Sequence, residues 1–276
     1  MAGTRRYLTT ILSYAAMTLG AIIFVGPLLW VISTSLMGPD QNPFVIPPQL
    51  IPHPFSFANY QSVFKSWPFG QYLLNSLELA ILSVAGTGII SMLTAYPLAR
   101  MDFVGKKAVF ALVIATLVLP GEAVLVPRYL LVNFFGMVNT FWGVAVPGFF
   151  SGFGVFLLRQ AYLILPRELE DAARIDGAGE LRIFAQIMTP LILPSLAALA
   201  IFTFLGSWDG FLWPLIILNS QQMYTAPLGL AYFFGYFGAS WQLIAAASIV
   251  VVLPVIIVFV SLQRLFINGL TGAVKG

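Results

Sequence analysis

Six stretches of this chain are mostly apolar and about 20 residues or longer, the length a helix needs to cross a hydrocarbon core. They run near Ile11–Leu36, Tyr72–Ala99, Ala108–Phe135, Phe141–Leu163, Leu191–Leu218 and Trp241–Phe266. In lipid, backbone N–H and C=O groups must be satisfied within the segment, so such stretches fold as helices. The expected class is therefore an all-α membrane protein with six transmembrane helices. The first stretch is too long for the apolar part of a signal peptide and lacks a small-residue cleavage pattern, so it is expected to be retained. Only 8% of residues are charged and 59% are hydrophobic, whereas soluble domains carry roughly 25% charged residues. That balance excludes an ordinary soluble enzyme, a disordered chain and a free nucleic-acid binder.

The few charges set an orientation. With both termini placed in the cytoplasm, Arg5, Arg6, Arg100, Lys106, Lys107, Arg159, Arg167, Arg174, Arg182, Arg264 and Lys275 fall inside. Only Lys65 and Arg128 fall outside, which is the bias expected of a multi-pass protein in this topology. Residues 37–70 then form a long external segment, in which Phe57–Trp67 reads as a short amphipathic helix anchored by Tyr60 and Trp67. Residues 136–140 form a short external turn. Residues 219–240 read as an uncharged external loop carrying Tyr232, Phe233, Phe234, Tyr236 and Phe237. The chain has no cysteine and one histidine, His53, flanked by Pro52 and Pro54. Thiolate chemistry is excluded, His53 reads as a loop residue, and no metal site is expected.

One internal connection differs from the rest. Residues 164–190 hold Arg167, Glu168, Glu170, Asp171, Arg174, Asp176, Glu180 and Arg182. Pro166 suits a helix start, and Glu168, Glu170 and Asp171 suit its positive N-terminal end. Gly177 is placed to stop that helix in a left-handed cap. Leu169, Ala172, Ala173 and Ile175 give it a small apolar surface. By charge alone, it is either a surface linker or a docking element.

The spacing here resembles the "EAA" motif of ATP-binding-cassette (ABC) importer permeases, E-L-x-E-A-A-x-x-D-G-A followed by P-L-x-x-P. The matching residues are Glu168-Leu169, Asp171-Ala172-Ala173, Asp176-Gly177-Ala178, Pro190-Leu191 and Pro194. Asp171 stands where the family usually has Glu, which keeps the charge and shortens its reach by one methylene. Further matches resemble the maltose-type carbohydrate permeases: Leu74-Asn75-Ser76, Tyr96-Pro97-Leu98-Ala99-Arg100, Gly136-Met137-Val138-Asn139-Thr140, Trp208–Pro214 and the end from Gly269 to Gly276. In Trp208–Pro214, Asp209 and Gly210 replace the family's Asn and acid.

The resemblance implies a type I ABC importer transmembrane domain, the second permease of a heterodimeric pair in a bacterial inner membrane. Residues 1–70 would supply the first helix and external loop, 71–266 the transport core and 267–276 a cytoplasmic tail. The implied partners are a second homologous permease, two ATPase subunits that bind ATP and Mg, and an external solute-binding protein. The helix at about 166–178 would be the coupling helix, with Glu168, Asp171, Ala172, Ala173, Asp176 and Gly177 meeting the ATPase. No cofactor is expected in this chain. Nowhere does it carry a G-x-x-x-x-G-K-[ST] loop, and Gly105-Lys106-Lys107 lacks the first Gly and the final hydroxyl.

Ionisable groups within spans are costly and mark functional candidates. Glu78, Glu122, Arg128 and Asp209 qualify, and Glu78 and Arg128 read equally well as solvated interface residues. Candidate substrate-path residues are Asn75, Glu122, Trp208, Asp209 and Trp213. The aromatic cluster around Asp209 suits a sugar, although packing against lipid, with Asp209 as a cap or structural partner, is the plainer reading. A single basic candidate, Arg128, favours a neutral saccharide or polyol over an anionic substrate. Gly148-x-x-x-Gly152 and Gly206-x-x-x-Gly210 read as close helix contacts. The rival reading is a proton-coupled secondary carrier using Glu78, Glu122 and Asp209, which would need no ATPase.

Overall fold

The computed structural model describes residues 2–47, 49–238 and 240–274, with side chains over 10–47, 49–236, 238 and 240–261. The side chains of Arg5, Arg6 and Arg264, residue Lys275 and the side chains of the expected tail lie outside the described residues. The helices are α1 (Ala2–Ser35), α2 (Ala58–Ser66), α3 (Phe69–Arg100), α4 (Lys106–Val118), α5 (Leu125–Phe134), α6 (Phe141–Ala145) and α7 (Gly152–Ile164). There follow α8 (Glu168–Ile175), α9 (Glu180–Arg182), a π-helical turn (Ile183–Met188), α10 (Thr189–Leu191), α11 (Leu193–Trp208), α12 (Leu212–Ile217), α13 (Ala226–Phe237) and α14 (Trp241–Val274). Among the described residues the only extended pairing is a bridge between Met37 and Phe55.

Among the described residues three helical segments, Thr10–Ser35, Phe69–Arg100 and Trp241–Ser261, are long and apolar enough to cross a membrane alone. The other three expected spans are bent pairs rather than straight helices. Lys106–Val118 and Gly121–Phe134 meet at 103°, Phe141–Gly148 and Gly152–Ile164 at 48°, and Glu180–Leu191 and Leu193–Trp208 at 76°. Proline accounts for the first break: Leu119 before Pro120 is extended (φ −75°, ψ 121°), because a residue preceding proline is pushed out of the helical region. Pro127 sits in the first turn of α5, where it needs no backbone partner, and the helix continues. The 76° bend lies between Pro190 and Pro194, just after the π-helical turn.

Two expectations are corrected. The fifth span does not run unbroken to Leu218. It stops at Trp208, and Asp209 and Gly210 separate it from α12. Pro214 in α12 removes the amide that an uninterrupted helix would pair with Gly210. Residues 219–240 are not simply a loop, since Ala226–Phe237 is helical. Its glycines and aromatics suggest a turn-rich segment, but Gly229 permits a close approach: a Cβ there would lie 2.2 Å from the Tyr72 ring.

The chain divides into two compact units. In the first (Met1–Gly70 and Leu230–Leu253), Asn59 is buried and donates to the carbonyls of Ser35 and Met37, at 3.0 and 2.7 Å. Ser35 and Tyr60 share a hydroxyl bond of 2.8 Å, and Phe233 packs edge-on against Trp67 and Phe69. None of the most apolar part of α1 is buried within the chain. His53 is exposed in the connection before α2.

The second unit (Gln71–Gly229 and Pro254–Gly276) carries the site residues. One core joins Tyr96, Ala99, Val113, Val155, Leu158, Tyr162, Ile183 and Leu199. A second joins Leu79, Val132, Val144, Ile217 and Leu228. Gly152 faces α4 so closely that a Cβ would lie 2.3 Å from Thr116 Oγ1 and 3.0 Å from the Val113 carbonyl. Gly148 and Gly206, expected to make similar contacts, have open space where a Cβ would stand.

Candidate functional site

The short charged helix α8 is fixed at one end and open at the other. Its N-terminal turn carries Glu168, Glu170 and Asp171 where the helix dipole favours anions. Gly177 adopts φ +81°, and the N–H groups of Gly177 and Ala178 bond to the carbonyls of Arg174 and Ala173, which closes the helix. Glu168, Asp171, Ala172, Asp176 and Gly177 are exposed, whereas Ala173 is buried. Ile175 is 87% exposed and Leu181 77%, so apolar groups stand out at the tip of a charged segment.

Glu170 is the residue that sequence reading undervalues. It is 3% exposed and turned into the core beneath α8. The Tyr96 hydroxyl donates to its Oε1 at 3.2 Å, and Arg100 Nε lies 3.8 Å from the same oxygen. Arg100 also donates to the Leu165 carbonyl, and Arg159 Nε donates to the Leu98 carbonyl at 3.1 Å. The last turn of α3 is thus tied to the start of α8 and to α7. The only early signal was Tyr96 and Arg100 within one motif, four residues apart and so on one helix face. On the surface, Arg174 bridges Asp171 at 3.1 Å and Glu180 at 2.8 Å. The hydrogen bond to Glu180 holds the Arg174 guanidinium above its ordinary pKa.

A second constellation surrounds a cavity of about 280 Å³ within the second unit. Ser83 and Thr87 come from α3, Arg128 from α5, Thr203, Gly206 and Ser207 from α11, and Trp213 from α12. The break at Asp209–Gly210 lets Trp213 turn against α6, where its indole N–H donates to the Val144 carbonyl at 3.2 Å. The Arg128 guanidinium lies 4.1 Å above the Trp213 ring. Ser207 donates to Ser83 at 3.3 Å, and Thr87 donates to the Gly148 carbonyl at 3.3 Å.

Of the expected substrate-path residues, only Trp213 lines this cavity. Asn75 is buried, and its amide donates to the carbonyls of Gln222 (2.7 Å) and Tyr224 (2.9 Å) while accepting from Gln71. Trp208 is buried and stacks on Phe204 with centroids 5.5 Å apart. Glu122 lies exposed in the turn after Pro120, and Asp209 lies exposed at the end of α11. Arg128, left outside that set, faces the cavity instead. Among the described residues no cluster of His, Asp and Glu could hold a metal ion.

Comparison with known proteins places this architecture. The family model of binding-protein-dependent transport system inner membrane components matches residues 88–272. An arabinooligosaccharides transport system permease protein of Halalkalibacterium halodurans is 43% identical over 203 residues, 73% of each chain. An sn-glycerol-3-phosphate transport system permease protein of Yersinia enterocolitica is 33% identical over 273 residues, 96% of this chain and 97% of its own. A galactooligosaccharides transport system permease protein of Bacillus subtilis is 31% identical over 279 residues, 99% of this chain and 98% of its own. Among solved structures, a chain of a bacterial ABC transporter involved in the import of the acidic polysaccharide alginate superposes with a TM-score of 0.83 at 20% identity, over 94% of this chain and 96% of that one. The chain belongs to the family of binding-protein-dependent transport system inner membrane components, and it is a permease subunit of such a transport system rather than an enzyme.

Proposed function

We propose that this permease pairs with a second, homologous permease and two ATPase subunits, which bind ATP and Mg, and receives a neutral sugar or polyol from an external binding protein. Both termini face the cytoplasm in this reading, with α8 as the coupling helix. Glu168, Asp171, Ala172, Asp176 and Gly177 form its docking set, joined by the exposed Ile175, whereas Ala173, expected in that set, packs into the core beneath the helix. The observation that carries the reading is the two-sided build of α8. A buried carboxylate, Glu170, roots it on α3, while charged and apolar groups stand exposed on its other side. Such an element can take a push from a partner and pass it to a span without bending.

The relatives named for arabinooligosaccharides and galactooligosaccharides support a saccharide as cargo. One cation facing the cavity, with hydroxyls around it, supports a neutral one. The carboxylates of the rival proton-coupled carrier, Glu78, Glu122 and Asp209, are all exposed. No hydrogen bond links them to one another among the described residues, so they give that reading little support.

The test is purification in mild detergent from native cells, followed by reconstitution. Two ATPase subunits and one further permease should co-purify per copy of this chain, and uptake should require ATP. Asp171→Lys and Gly177→Pro should abolish uptake while leaving the chain inserted, because the first reverses a docking charge and the second cannot adopt φ +81°. A chain that purifies alone and transports without ATP overturns the proposal.

A further inference from the structure

Three arginines of the second unit are drawn against the protein interior, and they are not treated alike. Arg100 donates to the Leu165 carbonyl and faces Glu170. Arg159 stacks on Phe110 with its guanidinium 4.0 Å from the ring centroid, and its Nε still donates to the Leu98 carbonyl. Arg128 has the same stacked geometry on Trp213 at 4.1 Å; its covered Nε makes no hydrogen bond, nor does that of Arg100, but unlike the other two arginines Arg128 has no hydrogen bond from any of its nitrogens among the described residues. Among the described residues no ion pair reaches it either. Stacking occupies the face of a guanidinium and leaves its N–H edge to be satisfied. An arginine held only for packing would resemble Arg159. One with donors left open beside a cavity, within a spanning segment where polar groups are costly, is arranged for a ligand that arrives.

The cavity walls indicate what that ligand is. The remaining polar groups are the hydroxyls of Ser83, Thr87, Thr203 and Ser207. Hydroxyls both donate and accept, as sugar hydroxyls do, whereas a carboxylate or phosphate only accepts. The two hydroxyl bonds already present, Ser207 to Ser83 and Thr87 to Gly148, are both 3.3 Å long and readily exchanged for better ones. Gly148 and Gly206 leave open space where side chains would otherwise intrude. A volume of about 280 Å³ lies near the lower end of ligand pockets and suits a single ring rather than a whole chain of them.

We propose that this cavity is a sugar-binding subsite supplied by this permease itself, in which the Arg128 edge holds adjacent hydroxyls of one neutral ring and the serine and threonine hydroxyls complete its contacts. The proposal rests on the reading of the chain as a sugar permease. It makes Arg128 a substrate-binding residue and Trp213 the platform that holds it.

The absence of cysteine provides the test. Ser207→Cys places the only thiol of this chain on the cavity wall, and in a complete transporter whose other subunits have had any cysteines replaced, its modification by a methanethiosulfonate can be timed in proteoliposomes. The probes are arabinotriose, galactotriose, maltotriose, trigalacturonate and glycerol 3-phosphate. A neutral trisaccharide that the complex takes up should slow modification at least fivefold. Adding Arg128→Gln should remove that protection and raise the uptake KM about tenfold, with Arg128→Lys intermediate. An unchanged modification rate without sugar, and retained stimulation of ATP hydrolysis by the binding protein, would show that these variants are folded. Uptake without protection overturns the subsite and leaves the transport reading standing. Protection only by trigalacturonate or glycerol 3-phosphate overturns the neutral ring. No ATP-driven uptake of any probe overturns the sugar-permease reading itself.

Discussion

The base of α8 and the cavity beside Trp213 both set an arginine against an aromatic ring, and they are finished differently. At the base of α8 every charged side chain has a partner, although Arg100 Nε itself makes no hydrogen bond: Glu170 accepts from Tyr96 and faces Arg100, Arg100 donates to Leu165, and Arg159 donates to Leu98. In the cavity, Arg128 makes no hydrogen bond among the described residues and the hydroxyl bonds are long. A region that transmits displacement gains from having no slack. A region that receives a ligand must hold back some hydrogen-bonding capacity, because groups already satisfied bind nothing further.

The contrast breaks most visibly at Glu170. Removing one partner of a buried ion pair leaves the other uncompensated, so Glu170→Ala should cost about 3 kcal/mol of stability. It should appear as a clear fall in the melting temperature of the purified protein and a loss of ATP-driven uptake. A silent substitution would show that Arg100 is satisfied without it, and the two regions would then be alike. A smaller effect is expected at Gly177→Ala, since a left-handed alanine costs about 1–2 kcal/mol. Its melting temperature should fall modestly, and uptake should drop more than stability if the cap sets the docking angle of α8. The smallest belongs to Arg174→Ala. Its bridges to Asp171 and Glu180 are exposed and screened, so the melting temperature should not move within error. A large shift there would mean that the outer side of α8 is as tightly fixed as its root.

Much of the local structure is legible in the residues. The Gly177 stop is one case, because a left-handed cap calls for glycine and the chain supplies it directly after an acidic, alanine-containing turn. The helix over Ala58–Ser66 falls within the stretch that sequence periodicity marks out. Asn139 is legible in part. It stands in a family motif, and the structure supplies the reason: it adopts φ 59° and its Oδ1 accepts from the amides of Asn219 and Ser220. Asn75 shows the limit. A buried asparagine near a span end reads as a path residue, but its partners are carbonyls about 150 positions away, which no local pattern reveals.

The apolar stretches, the scarcity of charge and the spacing in Glu168–Pro194 were enough to determine a helical membrane protein with a charged connecting helix, because those properties depend on period and composition alone. Bending was only half determined: Pro120, Pro190 and Pro194 mark where helices cannot run on, but the angles of 103° and 76° come from packing. Which polar groups are spent and which are open was decided wholly by the tertiary structure. Arg100, Arg128 and Arg159 are the same residue in similar apolar surroundings. Only the placement of a carbonyl from a distant segment gives Arg100 and Arg159 a hydrogen bond each and leaves Arg128 with none among the described residues, facing a cavity.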